Sequence, residues 1–472
     1  MEKTSIVGIY RSLDKSEQRE AGKWLASPAH NQRKDVVDLH NYLVAGNHLT
    51  STSALAKKRV WRKLFGKTPY DDAKLRQIIH FITRAIEEWL AYREWRDDKV
   101  KTRLSLAGQL RRRKLGKPLE RTLRQVEKQQ QGYPHRNEHF FRNEYLLQLE
   151  HYTNRGIQQR GQKDVRLQAV ADALDNAYLI EKLRLSCNML FHQRVSKTPY
   201  DIGLLQPIVD HVGELELDKI PALAIYYYVI MAIKGSRNTE EDGSYFSKLR
   251  TTAREHGHLL PLTEQREFYL MAINLCIPRM NAGNEAFTRE AFEWYRLGME
   301  NGVLIENDNL SRYTFINVAF VAIKLEELEW TDHFIEDYQQ YVGVKYRELA
   351  ANIVRIRLNY VRKNYGEAMH LLAVTDPKDQ VLSLICKYTQ LKIYYELEEY
   401  DVLESLMDSI GAQLRRKEIV AHQKKNGQNI IRLLRALLRL NDYNKEKKEA
   451  LKQEVLATQP LSEREWFLGV LG

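Results

Sequence analysis

The sequence predicts an all-α protein: an α-α superhelix of helical hairpins preceded by a basic helical domain. Three observations carry this. Only 23 glycines and 11 prolines interrupt 472 residues, which suits helices joined by short turns. Apolar residues recur at spacings of three and four along most of the chain. Helical hairpins also repeat at a near-constant period in the second half.

The first part reads as separate short helices. Asp14 or Ser16 caps a first helix that ends at Ser27-Pro28, because the residue before proline avoids the helical region. A second helix carries Val36, Val37, Leu39, Tyr42 and Leu43, and a third runs from Ser51-Thr52-Ser53 to Phe65, closed by Gly66. Asp71 starts a long helix in which Leu75, Ile78, Ile79, Ile82, Ile86, Trp89 and Leu90 form one buried stripe. Gly132-Tyr133-Pro134 is the strongest break. It divides a basic helical domain, 1–131, from a repeat region, 135–457, with a C-terminal tail at 458–472.

Beyond the break, helices are expected at 137–160, 164–195, 202–213, 219–234, 242–257, 262–281, 285–301, 310–326, 330–341, 345–362, 365–373, 380–397, 400–412 and 418–441. Trp330-Thr331-Asp332, Tyr365-Gly366-Glu367 and Tyr400-Asp401-Val402 recur at 35-residue steps. Upstream, Glu255 to Leu260 aligns with Glu300 to Ile305 at an offset of 45, placing Gly257 and Gly302 where a helix C-cap takes positive φ. Lys67-Thr68-Pro69-Tyr70-Asp71 recurs as Lys197-Thr198-Pro199-Tyr200-Asp201, read as a shared turn whose aspartate caps the next helix.

At these repeats the chain resembles the tetratricopeptide (TPR) superfamily, over residues 240–440. The stretch Glu290 to Leu414 is also similar to large uncharacterised helical-repeat proteins of bacteria. The resemblance implies a right-handed solenoid that binds other proteins and carries no catalytic residues. It also implies that the first helix of each pair lines a concave groove. Stepping by 35 gives the columns Asn317, Asn352, Lys387; Lys324, Asn359, Tyr394; and Phe320, Arg355, Gln390. Asn352, Arg355, Asn359 and Arg362 share one helix face, opposite Leu349, Ile353, Ile356 and Tyr360. Such Asn and Arg side chains hold a peptide backbone or carboxylate by charge-assisted hydrogen bonds.

The net charge of +11 is uneven. Residues 1–130 hold 29 Lys+Arg against 15 Asp+Glu, whereas the rest holds 44 against 47. Lys57, Lys58, Arg59, Arg62 and Lys63 crowd one helix beside Trp61 and Phe65, and Arg111, Arg112, Arg113 and Lys114 run consecutively. These cations are candidate phosphate contacts, by counterion release rather than base reading. A late helix with Ile430, Leu434, Leu437 and Leu438 bears Arg432, Arg435 and Arg439. It is expected to close the last repeat's core rather than lie on a membrane.

Chemistry-bearing motifs are sparse. His135-Arg136-Asn137-Glu138-His139 fits H-x-x-E-H, in which two histidines on one helical face bind zinc and a glutamate polarises water. It begins just after Pro134 and lacks a third ligand fixed by spacing. His256 and His258 flank Gly257 and are expected to serve a helix end. There is no G-x-x-x-x-G-K-[ST], no G-x-G-x-x-G after a strand and no G-x-S-x-G, and no cofactor is expected.

The longest apolar run, Ile220 to Ile233, falls short of the ~20 residues a bilayer needs, so no membrane span is expected. Met1 to Gln18 has no sustained apolar core, so no secretory signal is expected. Cys187, Cys276 and Cys386 lie among apolar residues without a C-x-x-C pair, which fits buried reduced thiols in a cytoplasmic protein. The functional expectation is a non-enzymatic scaffold that binds a protein or peptide. A nucleic-acid-associated regulator acting through residues 1–131 comes second, and a zinc-dependent hydrolase third.

Overall fold

The computed structural model describes residues 1–158, 166–196, 198–235, 239–415, 419–440 and 445–472. Among these residues the regular structure is helical, with no strand and only two isolated β-bridges. The first helices are α1 (Ser5–Ser12), α2 (Lys15–Ala26), α3 (Lys34–Val44), α4 (Lys57–Phe65), α5 (Asp72–Asp97), α6 (Lys99–Arg112) and α7 (Gly116–Gln131). Then come α8 (Glu138–Gln158), α9 (Arg166–Ser196), α10 (Leu205–Gly213), α11 (Pro221–Lys234), α12 (Thr239–His256), α13 (Leu262–Asn281) and α14 (Glu285–Glu300). The rest are α15 (Arg312–Lys324), α16 (Leu328–Tyr338), α17 (Val344–Val361), α18 (Tyr365–Val374), α19 (Gln380–Glu396), α20 (Tyr400–Leu414), α21 (Ala421–Leu438), α22 (Lys445–Ala457) and α23 (Arg464–Leu471). Among the described residues no helix is long and apolar enough to cross a membrane.

Two compact units divide the chain: residues 1–133 with 142–173, and residues 134–141 with 174–472. In the first unit Asp14, not Ser16, caps α2. Its carboxylate accepts from the Ser16 and Glu17 amides, and Glu17 reaches back to the Asp14 amide. Asp71 caps α5 by accepting from the Lys74 amide. Of the expected stripe, Leu75, Ile78, Ile82, Ile86 and Trp89 are buried and pack with Ile6, Leu25, Leu39 and Val60, whereas Ile79 and Leu90 lie at its edges and are only half-buried.

The third expected helix starts late. Residues 51–56 form turns instead, pinned where the Tyr42 hydroxyl donates to the Ala54 carbonyl at 2.7 Å. A second small core joins Leu104 of α6, Leu123 of α7 and Leu147 of α8.

In the second unit one turn recurs. After α13, α15, α17 and α19 the chain passes through a residue of positive φ: Gly283, Glu326, Lys363 and Glu398. The next amide donates back across the helix end each time. The pairs are Asn284 to the Arg279 carbonyl, Glu327 to Ala322, Asn364 to Asn359, and Glu399 to Tyr394. This closes each first helix with the same six-residue loop. Each first helix packs on the helix that follows the turn, and α15, α17 and α19 pack on one another in order.

The two glycines aligned in the sequence differ. Gly302 has φ +66, whereas Gly257 is not left-handed and opens a 3₁₀ turn, Gly257–Leu259. The Lys-Thr-Pro-Tyr-Asp echo also diverges. Asp201 does not cap α10, whose start at Leu204 carries no side-chain cap, and Tyr200 pairs with His192 at 2.7 Å. Lys197 lies outside the described residues. The three cysteines are buried free thiols. Ile430, Leu434 and Leu437 of α21 are buried in the C-terminal core with Leu403, Met407 and Phe467.

Candidate partner-binding site

The recurring turns fix which residues of the first helices are equivalent. The positive-φ positions 283, 326, 363 and 398 stand 43, 37 and 35 residues apart. The constant step of 35 is therefore out of register by two between α15 and α17. Phe320 is equivalent to Arg357 and Lys392, and Lys324 to Asn281, Val361 and Glu396.

These rows converge on α23. The segment after residue 457, expected as a tail, folds back across the C-terminal halves of four first helices. The Arg464 guanidinium donates to the Asn281 carbonyl at 3.2 Å. Glu465 pairs with Lys324 at 2.6 Å. Glu463 accepts from Lys392 Nζ at 2.5 Å and from both terminal nitrogens of Arg357 at 3.3 Å. The Trp466 indole donates to Glu396 at 3.1 Å, and its ring meets Tyr395 edge-on at 5.3 Å. Beneath them Leu461, Phe467 and Leu471 are buried in the apolar core.

Sequence explains this geometry. Lys392 lies between Leu391 and Ile393, on the apolar side of α19, and is 2 % exposed. Its ammonium sits 4.6 Å from the Tyr360 ring centre. A buried ammonium needs a counter-charge, and Glu463 supplies it. Burial opposes ionisation of Glu463, but Arg357 and Lys392 outweigh it and hold the carboxyl at about 2. Burial and the Arg357 charge lower Lys392 to about 8, which leaves it protonated at neutral pH. Glu396 accepts from Lys363 at 2.6 Å and from the Tyr360 and Tyr365 hydroxyls as well as Trp466. These donors outweigh burial and hold it at about 2.

The groove residues read from the sequence are accessible but locally engaged. Arg362 pairs with Asp332 on α16. Lys387 donates to Gln413 on α20 at 2.8 Å, and Asn359 to the Arg355 carbonyl at 3.0 Å. Gln390 donates to the Tyr394 hydroxyl at 3.0 Å. Asn317 is exposed, and Asn352 and Arg355 are half-buried. Of these residues, Lys324 pairs with Glu465 of α23, and Tyr394 packs against the apolar cluster that holds Phe467. The sequence reading missed Arg357, Lys392, Glu396, Glu463 and Trp466. The available signal was a lysine embedded in an apolar helix face.

The basic runs separate into engaged and free cations. Lys57 pairs with Asp72 at 2.9 Å, and Arg111 makes a two-pronged pair with Glu150 at 2.8 and 3.2 Å. Arg113 turns back to Gln109. Arg112 and Lys114 are exposed. Lys58, Arg59, Arg62 and Lys63 of α4 are exposed too, with no carboxylate partner among the described residues. At 100° per residue these four share one side of α4, opposite buried Val60 and Trp61.

His135 precedes α8 while Glu138 and His139 open it, so the two histidines do not share a helical face. Among the described residues no group of three or more His, Cys, Asp or Glu is placed to hold a metal. Comparison of the chain with protein-family models, with curated proteins and with solved structures finds no match.

Proposed function

We propose that this chain is a non-enzymatic binding scaffold. In this reading the hairpins from α11 onward stack as a tetratricopeptide-like superhelix, each pair completing its neighbour's core. The first helices then line a concave trough that takes a peptide segment of a partner protein. One observation supports this above the others. Residues near the C-terminal end of each of four successive first helices, Asn281, Lys324, Arg357, and Lys392 with Glu396, engage one short segment.

Affinity capture from cell extract tests the trough. Arg355→Glu with Asn359→Ala changes half-buried polar side chains on the α17 face read as lining the trough, and thermal melting checks that the variant is folded. Loss of partners captured by the wild type is the expected outcome. An unchanged partner set at equal folding contradicts the trough.

A second reading concerns the first unit, favoured by the four exposed cations on one side of α4 that have no carboxylate partner among the described residues. Their spacing suits a phosphate backbone, giving polyanion binding without base selectivity. Binding to duplex DNA should weaken with salt at a log–log slope of about −3 to −4, near −0.9 per phosphate neutralised. Arg62→Glu with Lys63→Glu should flatten that slope. No binding at low salt removes this reading.

A further inference from the structure

The contacts of α23 have the character of a ligand in a receptor. Glu463 places a carboxylate on two cations, and Trp466, three residues on, places an indole N–H on Glu396 and a ring edge on Tyr395. Phe467 follows with no exposed surface. Positions i, i+3 and i+4 lie on one helix face, so the motif is Glu-x-x-Trp-Phe read from one side. The opposite side is more open: Glu465 and Gly469 are exposed there, with Glu465 reaching sideways to Lys324. With eight residues, α23 is well below the ~12–15 at which an isolated helix holds in water, so it is a helix because it is docked.

The receptor does not depend on α23 for its own shape. α17 and α19 are closed by their own turns, at Lys363 and Glu398, and pack on each other and on α18 and α20. Glu396 keeps Lys363, Tyr360 and Tyr365 as donors besides Trp466. Arg357 and Lys392, by contrast, both depend on Glu463, which comes from the docked segment. An empty receptor therefore presents two neighbouring cations, an indole acceptor and an apolar floor.

Resting on the scaffold reading above, we propose that Arg357, Lys392, Tyr395 and Glu396 form a receptor for an acidic-aromatic helix of the pattern Glu-x-x-Trp-Phe. The chain's own residues 458–472 are its resident, exchangeable ligand. A partner protein bearing that pattern binds by displacing α23, and the resident segment sets the threshold for entry. Tethering gives the resident an effective concentration of ~mM, so a free competitor of equal intrinsic affinity meets a large handicap until the resident is weakened.

The test uses the full chain and a fluorescein-labelled synthetic peptide of residues 458–472. Fluorescence anisotropy should show peptide binding to Trp466→Ala at least ten-fold tighter than to wild type. Adding Lys392→Met to Trp466→Ala should abolish it. Folding of each variant is checked by thermal melting. Equal, or absent, binding to wild type and to folded Trp466→Ala overturns the proposal.

Native-state hydrogen exchange on the wild type decides the case even if Trp466→Ala does not fold. Amides of 464–471 should exchange at least ten-fold faster than those of α17 and α19. Protection equal to those helices overturns exchangeability. If displacement fails while Arg355→Glu with Asn359→Ala still loses captured partners, the scaffold reading stands and this proposal falls. If Arg355→Glu with Asn359→Ala loses none, the scaffold reading falls on its own test.

Discussion

The two units treat the same side chains in opposite ways. On α4 of the first unit, Lys58, Arg59, Arg62 and Lys63 project into water without carboxylate partners among the described residues. In the second unit Lys392 and Arg357 are drawn inward and closed over by Glu463. A cation left in solvent adds almost nothing to folding and keeps its charge for a partner. A cation taken out of water commits the fold to supplying an anion, and the pair becomes a point on which two distant segments depend. Charge counting finds the first kind because it leaves a surplus. It misses the second because compensation erases it: residues 131–472 hold 44 basic and 47 acidic residues.

The sharpest way to break this contrast is to remove one charge from each unit. Glu463→Gln leaves Arg357 and Lys392 enclosed and unpaired, which should cost about 3–5 kcal/mol in urea unfolding. Lys58→Ala with Arg62→Ala should stay within ~0.5 kcal/mol per site, as exposed substitutions do. Similar losses in the two variants would erase the distinction.

Acid should separate the units next. His40 is 3 % exposed and hydrogen-bonded to the Tyr10 hydroxyl at 2.6 Å. Burial lowers its pKa from 6.5 to about 4. The folded form keeps the ring neutral while the unfolded chain takes up a proton. Stability is therefore full above pH 6.5 and lost as pH falls toward 4, by on the order of 2–3 kcal/mol. Glu463 and Glu396 are held at about 2 against 4.5 unfolded. Their contribution is full above pH 4.5 and lost only as pH falls below it. Segment-resolved hydrogen exchange at pH 5 should show α2 and α3 loosened relative to neutral pH, while α19 and α23 each keep the protection they have at neutral pH. The reverse order would contradict the assignment of causes.

The smallest effect concerns the turns. Glu398 sits at φ +61, a conformation that costs a side-chain-bearing residue ~1 kcal/mol or more. Glu398→Gly should stabilise the chain by up to about 1 kcal/mol, less the added freedom of the unfolded glycine. Destabilisation would mean that the repeated turn is held by its side chains rather than by its backbone.

Helices and their periodic faces were legible because each depends on local residues. The α5 stripe, the Asp14 and Asp71 caps and the burial of α21 all follow from spacing and end chemistry. The site was less legible for two physical reasons. A two-residue insertion between the α15–α16 and α17–α18 hairpins leaves every helix intact but shifts its equivalences, so Phe320 aligns with Arg357 and not with Arg355. The docking of α23 joins Asn281 to Arg464, 183 residues apart. No local pattern encodes that, beyond a lysine placed where only an apolar residue is expected.

The seating of the C-terminal segment on α19 is measured most directly by a double-mutant cycle between Glu463→Gln and Lys392→Met. Direct contact of two enclosed charges predicts a coupling of at least about 2 kcal/mol in unfolding free energy. Additivity within ~0.5 kcal/mol would contradict it, and with it the seating of residues 458–472 across the first helices.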